Sequence, residues 1–504
     1  MSTQRHSFSS SLLWLTAAEV IFTLSGYIIQ SVAGRVLGPT DYGRYSLVIT
    51  LTTVIIVLVG NGIPTAMSRY LSESFETNPH RTKRIKLQGI RLQSILIGTL
   101  TIAFFLLAPV IASLLGDPTL TPLFRFSSLI LPAFAAASFY FSYFTGLHLF
   151  RHQAALKIFR SFARLLIIIS LIVFFGIEGA IAGYILAPLA TFCLGLWLDY
   201  HYTVALDQRI AAETQANTIT SENDFRWQQL LDYAWPITLF MLFYEFFVSI
   251  DLYLVKAILH DDYATGLYNS ALTLGRIPFY LFYALSIILL PALAKMKSEQ
   301  NHEKMNALLT QSLRYAGIIL LPVFIFLSAY AAPSLAFVFG TRYSEPSSIL
   351  SLQTLAFGLS FLTVFYLLAT ALIGVGRART AMWLTIIGLI VNTWLNWVFI
   401  HAFTNIVGAA IATSVSAFLV TGITLYIVYH IIPFSLNFPA IFKTALIGGI
   451  LWYITSLAHF SSWLFIPASL ALGILYLMTL SFFGVITTTD REPFLKLFHK
   501  KPSL

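Results

Sequence analysis

A single cysteine, Cys193, occurs in the chain, and it lies in an apolar run. It cannot support a disulfide framework and gives no indication of redox compartment. Charge is equally scarce: Asp, Glu, Lys and Arg make up 10% of the sequence, against 58% hydrophobic residues. Soluble domains carry about a quarter charged residues, so this balance excludes an ordinary soluble fold and indicates an integral membrane protein. No phosphate-binding loop, nucleophile elbow or dinucleotide fingerprint occurs, which argues against ATP-driven transport by this chain alone. No motif calls for a cofactor.

The formal net charge of +9 does not point to nucleic acid, because the basic residues cluster in short loops between apolar runs. That is how a membrane protein sets its orientation. A span needs about 20 largely apolar residues. Fourteen such stretches are present, at 11–33, 44–67, 90–115, 121–145, 156–176, 179–199, 229–256, 266–293, 309–333, 347–373, 380–401, 407–430, 440–459 and 463–486. The expected fold is therefore an all-α polytopic membrane protein. The first run is too long for a signal-peptide core, is interrupted by Glu19 and has no small-residue cleavage site after it, so it is expected to remain as a helix. Pro64, Pro132, Pro236, Pro278, Pro291 and Pro322 fall inside these stretches and suit kinked helices.

With the N-terminus inside, twenty-four of the thirty Lys and Arg residues fall on the cytoplasmic side, Lys157, Arg160 and Arg164 among them. Only Arg35, Arg44 and Arg342 fall in outer loops, while Arg125, Lys256 and Arg276 lie within or at the ends of spans. Both termini are thus expected in the cytoplasm of a cell-membrane protein. The polar stretch 200–228 reads as a cytoplasmic linker between two halves.

An internal repeat supports that division. Asp41-Tyr42-Gly43-Arg44-Tyr45-Ser46 is echoed by Ala264-Thr265-Gly266-Leu267-Tyr268-Asn269-Ser270, and Gly179-Ala180-Ile181-Ala182-Gly183 by Gly408-Ala409-Ala410-Ile411-Ala412. Offsets of 223 and 229 residues place six spans in each half, so both enter the membrane in the same sense. The expected organisation is an N-lobe at 1–199, the linker, a C-lobe at 229–430, and two further spans with a tail at 431–504.

Ionisable residues inside spans are expensive and by default mark a pathway. Glu19 lies in the first span, Glu245, Asp251 and Lys256 in the seventh, and Arg276 in the eighth. The plainer reading of any single pair is a salt bridge between adjacent helices. Arg276, well inside its span, is the leading candidate for a cation that binds substrate phosphates, with Lys256 and Arg125 nearer the ends, where snorkelling is an adequate account. Glu19, Glu245 and Asp251 are candidates for ion coupling or gating. Asp251 could pair with Lys256 or Arg276 as a latch. Tyr140, Tyr143, Tyr244 and Tyr280 could stack on sugars, although most aromatics in such a chain face lipid or the interface. His148 and His152 have metal-binding spacing but no third ligand, and read as solvated loop residues near lipid headgroups. No metal site is expected.

The run Gly34-Arg35-Val36-Leu37-Gly38-Pro39-Thr40-Asp41-Tyr42-Gly43-Arg44-Tyr45-Ser46, followed by Gly60-Asn61-Gly62 and Ala66-Met67-Ser68-Arg69-Tyr70, carries a family resemblance. So do Ser249-Ile250-Asp251, Gly266–Ala271, Gly388–Asn392 with Asn396, and Gly408–Thr413. Together they resemble the polysaccharide-transporter family, the O-antigen-type flippases of the multidrug/oligosaccharidyl-lipid/polysaccharide exporter superfamily. The resemblance implies two six-helix lobes around a central cavity, plus two extra helices. It also implies alternating access, and flipping of a polyprenyl-pyrophosphate-linked oligosaccharide from inner to outer leaflet for cell-surface polysaccharide synthesis. Membrane lipids, a coupling H⁺ or Na⁺ and a glycan polymerase or other biosynthetic protein would be its partners. A cation-coupled drug exporter of the same superfamily is the alternative. A membrane glycosyl- or acyltransferase would need a loop cluster of catalytic groups that the lone His pair does not supply.

Overall fold

The computed structural model describes residues 8–60, 62–75, 79–215, 228–435, 438–457 and 464–485. The N-terminal arm with Arg5, the linker at 216–227 and the basic tail from 486 lie outside the described residues. Among the described residues the regular structure is helical throughout. In chain order the helices are α1 (Phe8–Gly60), α2 (Ile63–Ser74), α3 (Pro79–Leu114), α4 (Thr121–Ser127), α5 (Ile130–Gly146) and α6 (Phe150–Gln215). They continue with α7 (Gln228–Leu259), α8 (Asp262–Gly275), α9 (Ile277–Ser298), α10 (His302–Ala329) and α11 (Ala331–Phe339). The last five are α12 (Pro346–Gly374), α13 (Ala378–Phe403), α14 (Ile406–Ile431), α15 (Phe438–Leu457) and α16 (Phe465–Phe482).

Among the described residues ten helical stretches are long and apolar enough to cross a membrane, and two of them, Ala17–Ser74 and Phe150–Ala205, run to 58 and 56 residues. At about 1.5 Å per residue each is more than twice the ~30 Å hydrocarbon thickness. Each folds back at a glycine with positive φ, Gly38 (φ 72°) and Gly176 (φ 58°), a conformation that other residues adopt only with strain. Each therefore supplies two spans. With the consecutive pair α8–α9 and the shorter α15, each of the fourteen expected segments is helical over most of its described residues.

Three of the prolines behave differently from the expectation of kinks. Pro64 and Pro278 stand at the first or second position of α2 and α9, and Pro132 lies in the first turn of α5. There the missing N–H would have had no helical partner anyway, so proline opens a helix without penalty. Pro291 and Pro322 do sit inside α9 and α10. The stretch expected as a linker also starts as helix: α6 runs on to Gln215, tied to α3 by an exposed Lys83–Asp207 ion pair at 2.6 Å.

The described chain divides into two compact units, Met1–Asn269 with Ala378–Asn405 and Ser270–Arg377 with Ile406–Leu504. In the first, α1, α5, α6 and α7 carry the buried core. Its outward faces are apolar, with Leu106 65% and Phe174 78% exposed, as lipid contact requires. In the second, α12 and α14 approach closely because Gly358 admits Ser414, whose hydroxyl donates to Thr354 O at 2.8 Å. Small residues let membrane helices pack this way. There α15 and α16 close an apolar cluster on α10 through Ile318, Ile447, Leu451, Tyr476 and Leu480.

Candidate functional site

The repeated motif forms one contact within the first unit. Gly43 of α1 faces the start of α8 so closely that a Cβ there would lie 2.1 Å from Asp262 O and 2.9 Å from Gly266 N. A Cβ on Gly266 would lie 1.9 Å from Pro39 O. Beside this backbone contact the Asn269 amide donates to the Tyr42 hydroxyl at 2.9 Å and to Ser46 Oγ at 2.8 Å, and Tyr42 donates to Gln30 at 2.9 Å. Gly43 and Gly266 are 223 residues apart, and so are Ser46 and Asn269. Each member of the repeat thus touches its own counterpart. The matching tyrosines Tyr45 and Tyr268 are fully buried and face elsewhere. The Tyr45 hydroxyl lies 3.2 Å from that of Tyr184, and Tyr268 donates to the Asp251 carboxylate at 2.5 Å.

Around this contact Lys256, 3% exposed, is held by two carboxylates, Asp117 at 3.1 Å and Asp262 at 2.5 Å. Asp117 also caps the turn Pro118–Leu120, accepting from the backbone N–H and hydroxyl of Thr119, and Arg44 donates to Thr119 at 2.7 Å. Burial alone would raise the Asp117 carboxyl. Hydrogen bonds from Thr119 and Lys256, with the ammonium charge, outweigh it and hold the group below its ordinary value. Lys256 is therefore a bridge between helix ends, with Asp117 and Asp262 as partners in place of Asp251. Asp251 itself is completely buried; besides Tyr268 it accepts the Leu252 N–H at 2.8 Å. Arg125 is exposed in the last turn of α4, 5.1 Å from the centre of the Phe105 ring. Glu245 is half-buried on α7, and Arg276, half-buried, immediately precedes α9 in the second unit.

A second polar region lies where α6 packs on α1. Lys157 forms an ion pair with Glu19. One turn on, Arg160 is buried with its guanidinium 4.4, 5.2 and 5.6 Å from the ring centres of Phe134, Phe22 and Phe141. Another turn on, Arg164 lies 4.4 Å from the Phe22 ring, and a Cβ at Gly26 would come within 3.0 Å of its guanidinium. Arg160 and Arg164 stand ten and fourteen residues into α6, about 15 and 21 Å along its axis, and Gly176 ends that half of the helix twelve residues later. These two arginines thus stand well inside a helical stretch long and apolar enough to cross a membrane, beside the Lys157–Glu19 pair. The sequence reading set them among the basic residues of the cytoplasmic side and gave them no part in a site. The signal was the 157, 160, 164 spacing, which puts all three on one helical face.

Near the other end of α6 a buried ion pair serves structure. Lys86 lies 2.5 Å from Asp199, 3.0 Å from Thr203 and 4.5 Å from the centre of the Tyr143 ring. Tyr140 and Tyr143 belong to a buried aromatic cluster with Phe139 and Phe144, so neither is exposed for sugar stacking. Tyr244 is buried too, and Tyr280 is 43% exposed. His152 sits in the first turns of α6, packed on Phe144 and Tyr202, rather than in a solvated loop; His148 is exposed. Among the described residues no three His, Cys, Asp or Glu side chains converge on a metal position. Replacing Asp199 by Asn leaves the largely buried Lys86 without its counter-charge. A loss of about 3–5 kcal/mol is expected, to be read as lower thermal stability of the purified protein in detergent.

Asn392 ties α13 to α7, donating to Phe247 O at 3.1 Å, and Asn396, one turn on in α13, donates to Asn392 at 2.8 Å. Sequence pattern alone gave these asparagines no partner.

The chain is similar to several characterised proteins. It is 24% identical to stage V sporulation protein B of Bacillus subtilis over 461 residues, 86% of each chain. It is 23% identical to the succinoglycan biosynthesis transport protein ExoT of Rhizobium meliloti over 375 residues, 73% of this chain and 69% of that one. Its fold is that of the lipid II flippase MurJ in an inward closed conformation, with a TM-score of 0.72 at 17% identity, covering 94% of this chain and 99% of that one. An inward-facing multidrug MATE transporter shares it, with a TM-score of 0.67 at 15% identity, covering 84% and 98%. The model of the family described as polysaccharide biosynthesis protein matches residues 9–297, more than half of the sequence, and the chain belongs to that family.

Proposed function

We propose that this protein flips a polyprenyl-pyrophosphate-linked oligosaccharide from the inner to the outer leaflet of the cell membrane by alternating access. The observation that carries the reading is the basic face of α6, where Lys157, Arg160 and Arg164 stand within a span beside Glu19. Phosphate oxygens cannot cross hydrocarbon unpaired, and arginine matches their geometry through its planar fork. The same surplus of positive charge repels the organic cations that a drug exporter would carry. The names of two similar proteins, a succinoglycan transport protein and a lipid II flippase, support the same substrate class.

In this reading the lobes are 1–199 and 229–430, joined by 200–228, with 431–504 added outside them and both termini cytoplasmic. Arg276 supplies a further cation to the pathway. Lys256 and Arg125 act nearer its outer end. Coupling to H⁺ or Na⁺ runs through Glu19, Glu245 or Asp251, and a glycan polymerase receives the product. The contact of Gly43 with Gly266 and of Ser46 with Asn269 closes one end of the pathway and opens once per cycle.

Reconstitution in liposomes with a fluorescent lipid-linked oligosaccharide tests the function. Arg160→Gln combined with Arg164→Gln is expected to reduce flipping about 100-fold, on the order of 1.4 kcal/mol for each lost charged hydrogen bond. Transport of an organic cation by the wild-type chain, with no flipping of the lipid carrier, would refute the reading.

A further inference from the structure

The structure assigns the Lys157–Arg160–Arg164 face to a phosphate-binding site whose empty state is filled by the protein's own carboxylate, Glu19. The assignment rests on the flippase reading and adds the site, its ligand chemistry and its internal competitor. The ligand class is a phosphate or pyrophosphate ester.

Three observations converge. Lys157, Arg160 and Arg164 share one face of α6 at i, i+3 and i+7, and all three cations lie against the same ring, Phe22, at 5.6, 5.2 and 4.4 Å. Arg160 is 9% exposed and is packed on aromatic rings, with no carboxylate paired to it among the described residues. A guanidinium held between ring faces keeps its in-plane N–H groups available for an oxygen ligand. Finally, Glu19 already occupies Lys157, and this pair forms an accessible edge of the cluster, the carboxylate side chain 36% and the lysine 26% exposed. An anion entering from that edge meets the pair first.

A carboxylate carries one negative charge, and a pyrophosphate ester carries more. The diphosphate can therefore take Lys157 from Glu19 and reach Arg160 and Arg164 as well, bringing two phosphoryl groups to three cations. Glu19 keeps the lysine satisfied while the site is empty, which avoids an unpaired charge within the span. The arrangement predicts opposite signs for two kinds of substitution. Removing a cation weakens binding. Removing the carboxylate charge strengthens it.

The test uses the full chain in detergent and measures binding of farnesyl pyrophosphate, inorganic pyrophosphate and inorganic phosphate at fixed salt. Farnesyl pyrophosphate and inorganic pyrophosphate are expected to bind, both more tightly than phosphate. Arg164→Gln and Arg160→Gln should each weaken farnesyl pyrophosphate binding about tenfold, and Glu19→Gln should tighten it several-fold. Arg160→Lys should recover part of the loss if burial makes Arg160→Gln unstable. Lys83→Gln, in the exposed pair with Asp207, should change nothing. Weaker or unchanged binding in Glu19→Gln overturns the competition. Wild-type binding in Arg164→Gln and Arg160→Gln overturns the site, and if those variants still flip the lipid-linked oligosaccharide the flippase reading survives without it. Binding of inorganic pyrophosphate with none of the farnesyl ester overturns the assignment to a lipid carrier. Failure of the wild-type chain to flip, with the binding pattern intact, removes the function and leaves the anion site.

Discussion

Oxidation of a chain carrying Ser46→Cys, Asn269→Cys and Cys193→Ser is expected to reduce flipping to background, and reduction to restore it. The native Cys193 is exposed and is the one cysteine in the chain, so its removal leaves a clean thiol background. Ser46 Oγ and Asn269 Nδ2 lie 2.8 Å apart, which puts two substituted sulfurs within reach of a bond after a small adjustment. A disulfide between them fastens α1 to α8 at the point where the two halves of the repeat meet. In alternating access a ligand crosses because two states interconvert, and a covalent bond that exists in one of them holds the whole population there. The effect should thus be a loss of turnover, with binding of the carrier from the open side retained. Flipping at the wild-type rate with the crosslink fully formed would show that this contact is permanent and the cycle opens elsewhere.

The architecture was largely legible in the sequence because lipid imposes one rule that reads directly: about twenty apolar residues for each crossing. Fourteen such runs became fourteen helical segments. Their joints were less legible. Gly38 and Gly176 turn the chain through positive φ, whereas Gly422 lies in an unbroken helix, and nothing in the local pattern separates these cases. The prolines misled for a related reason. Pro64 and Pro278 look internal to an apolar run, yet each marks where a helix begins.

The ionisable residues divide in the same way. Their cost at depth showed that Lys256 and Asp251 need partners, but their identity depends on which helix ends come together. Lys256 found Asp117, 139 residues away, and Asp262. Asp251 found Tyr268, inside the repeated motif. The basic face of α6 was not singled out, because its residues were read together with the other basic residues of the chain. Lys and Arg beside an apolar run set orientation, and reading Arg160 and Arg164 only in that way left their shared face with Lys157 unremarked. The 223-residue offset was visible as a repeat, while the meeting of its two members is a property of packing.

Gly266→Ala is expected to lower the yield of that Ser46→Cys/Asn269→Cys crosslink sharply and to cut flipping at least tenfold. A Cβ at this position lies 1.9 Å from Pro39 O, a backbone atom that cannot rotate away, so the two helices must separate by more than about 1 Å. Overpacking of this kind costs about 1–3 kcal/mol. Set against one of two interconverting states, that moves the equilibrium about 5- to 150-fold towards the state in which α1 and α8 are apart. Gly422→Ala is the matched control. Its Cβ meets nothing within 4 Å, and replacing a helical glycine by alanine gains up to about 1 kcal/mol, so crosslinking and flipping should stay at the parent level. The two readings together distinguish a shifted equilibrium from general damage. If Gly266→Ala merely destabilised the chain, thermal stability would fall and crosslinking of the surviving folded protein would remain as efficient as before. Efficient crosslinking in folded Gly266→Ala would mean that the backbone contact yields without separating the helices, and the closure assigned to the repeated motif would then have to be abandoned.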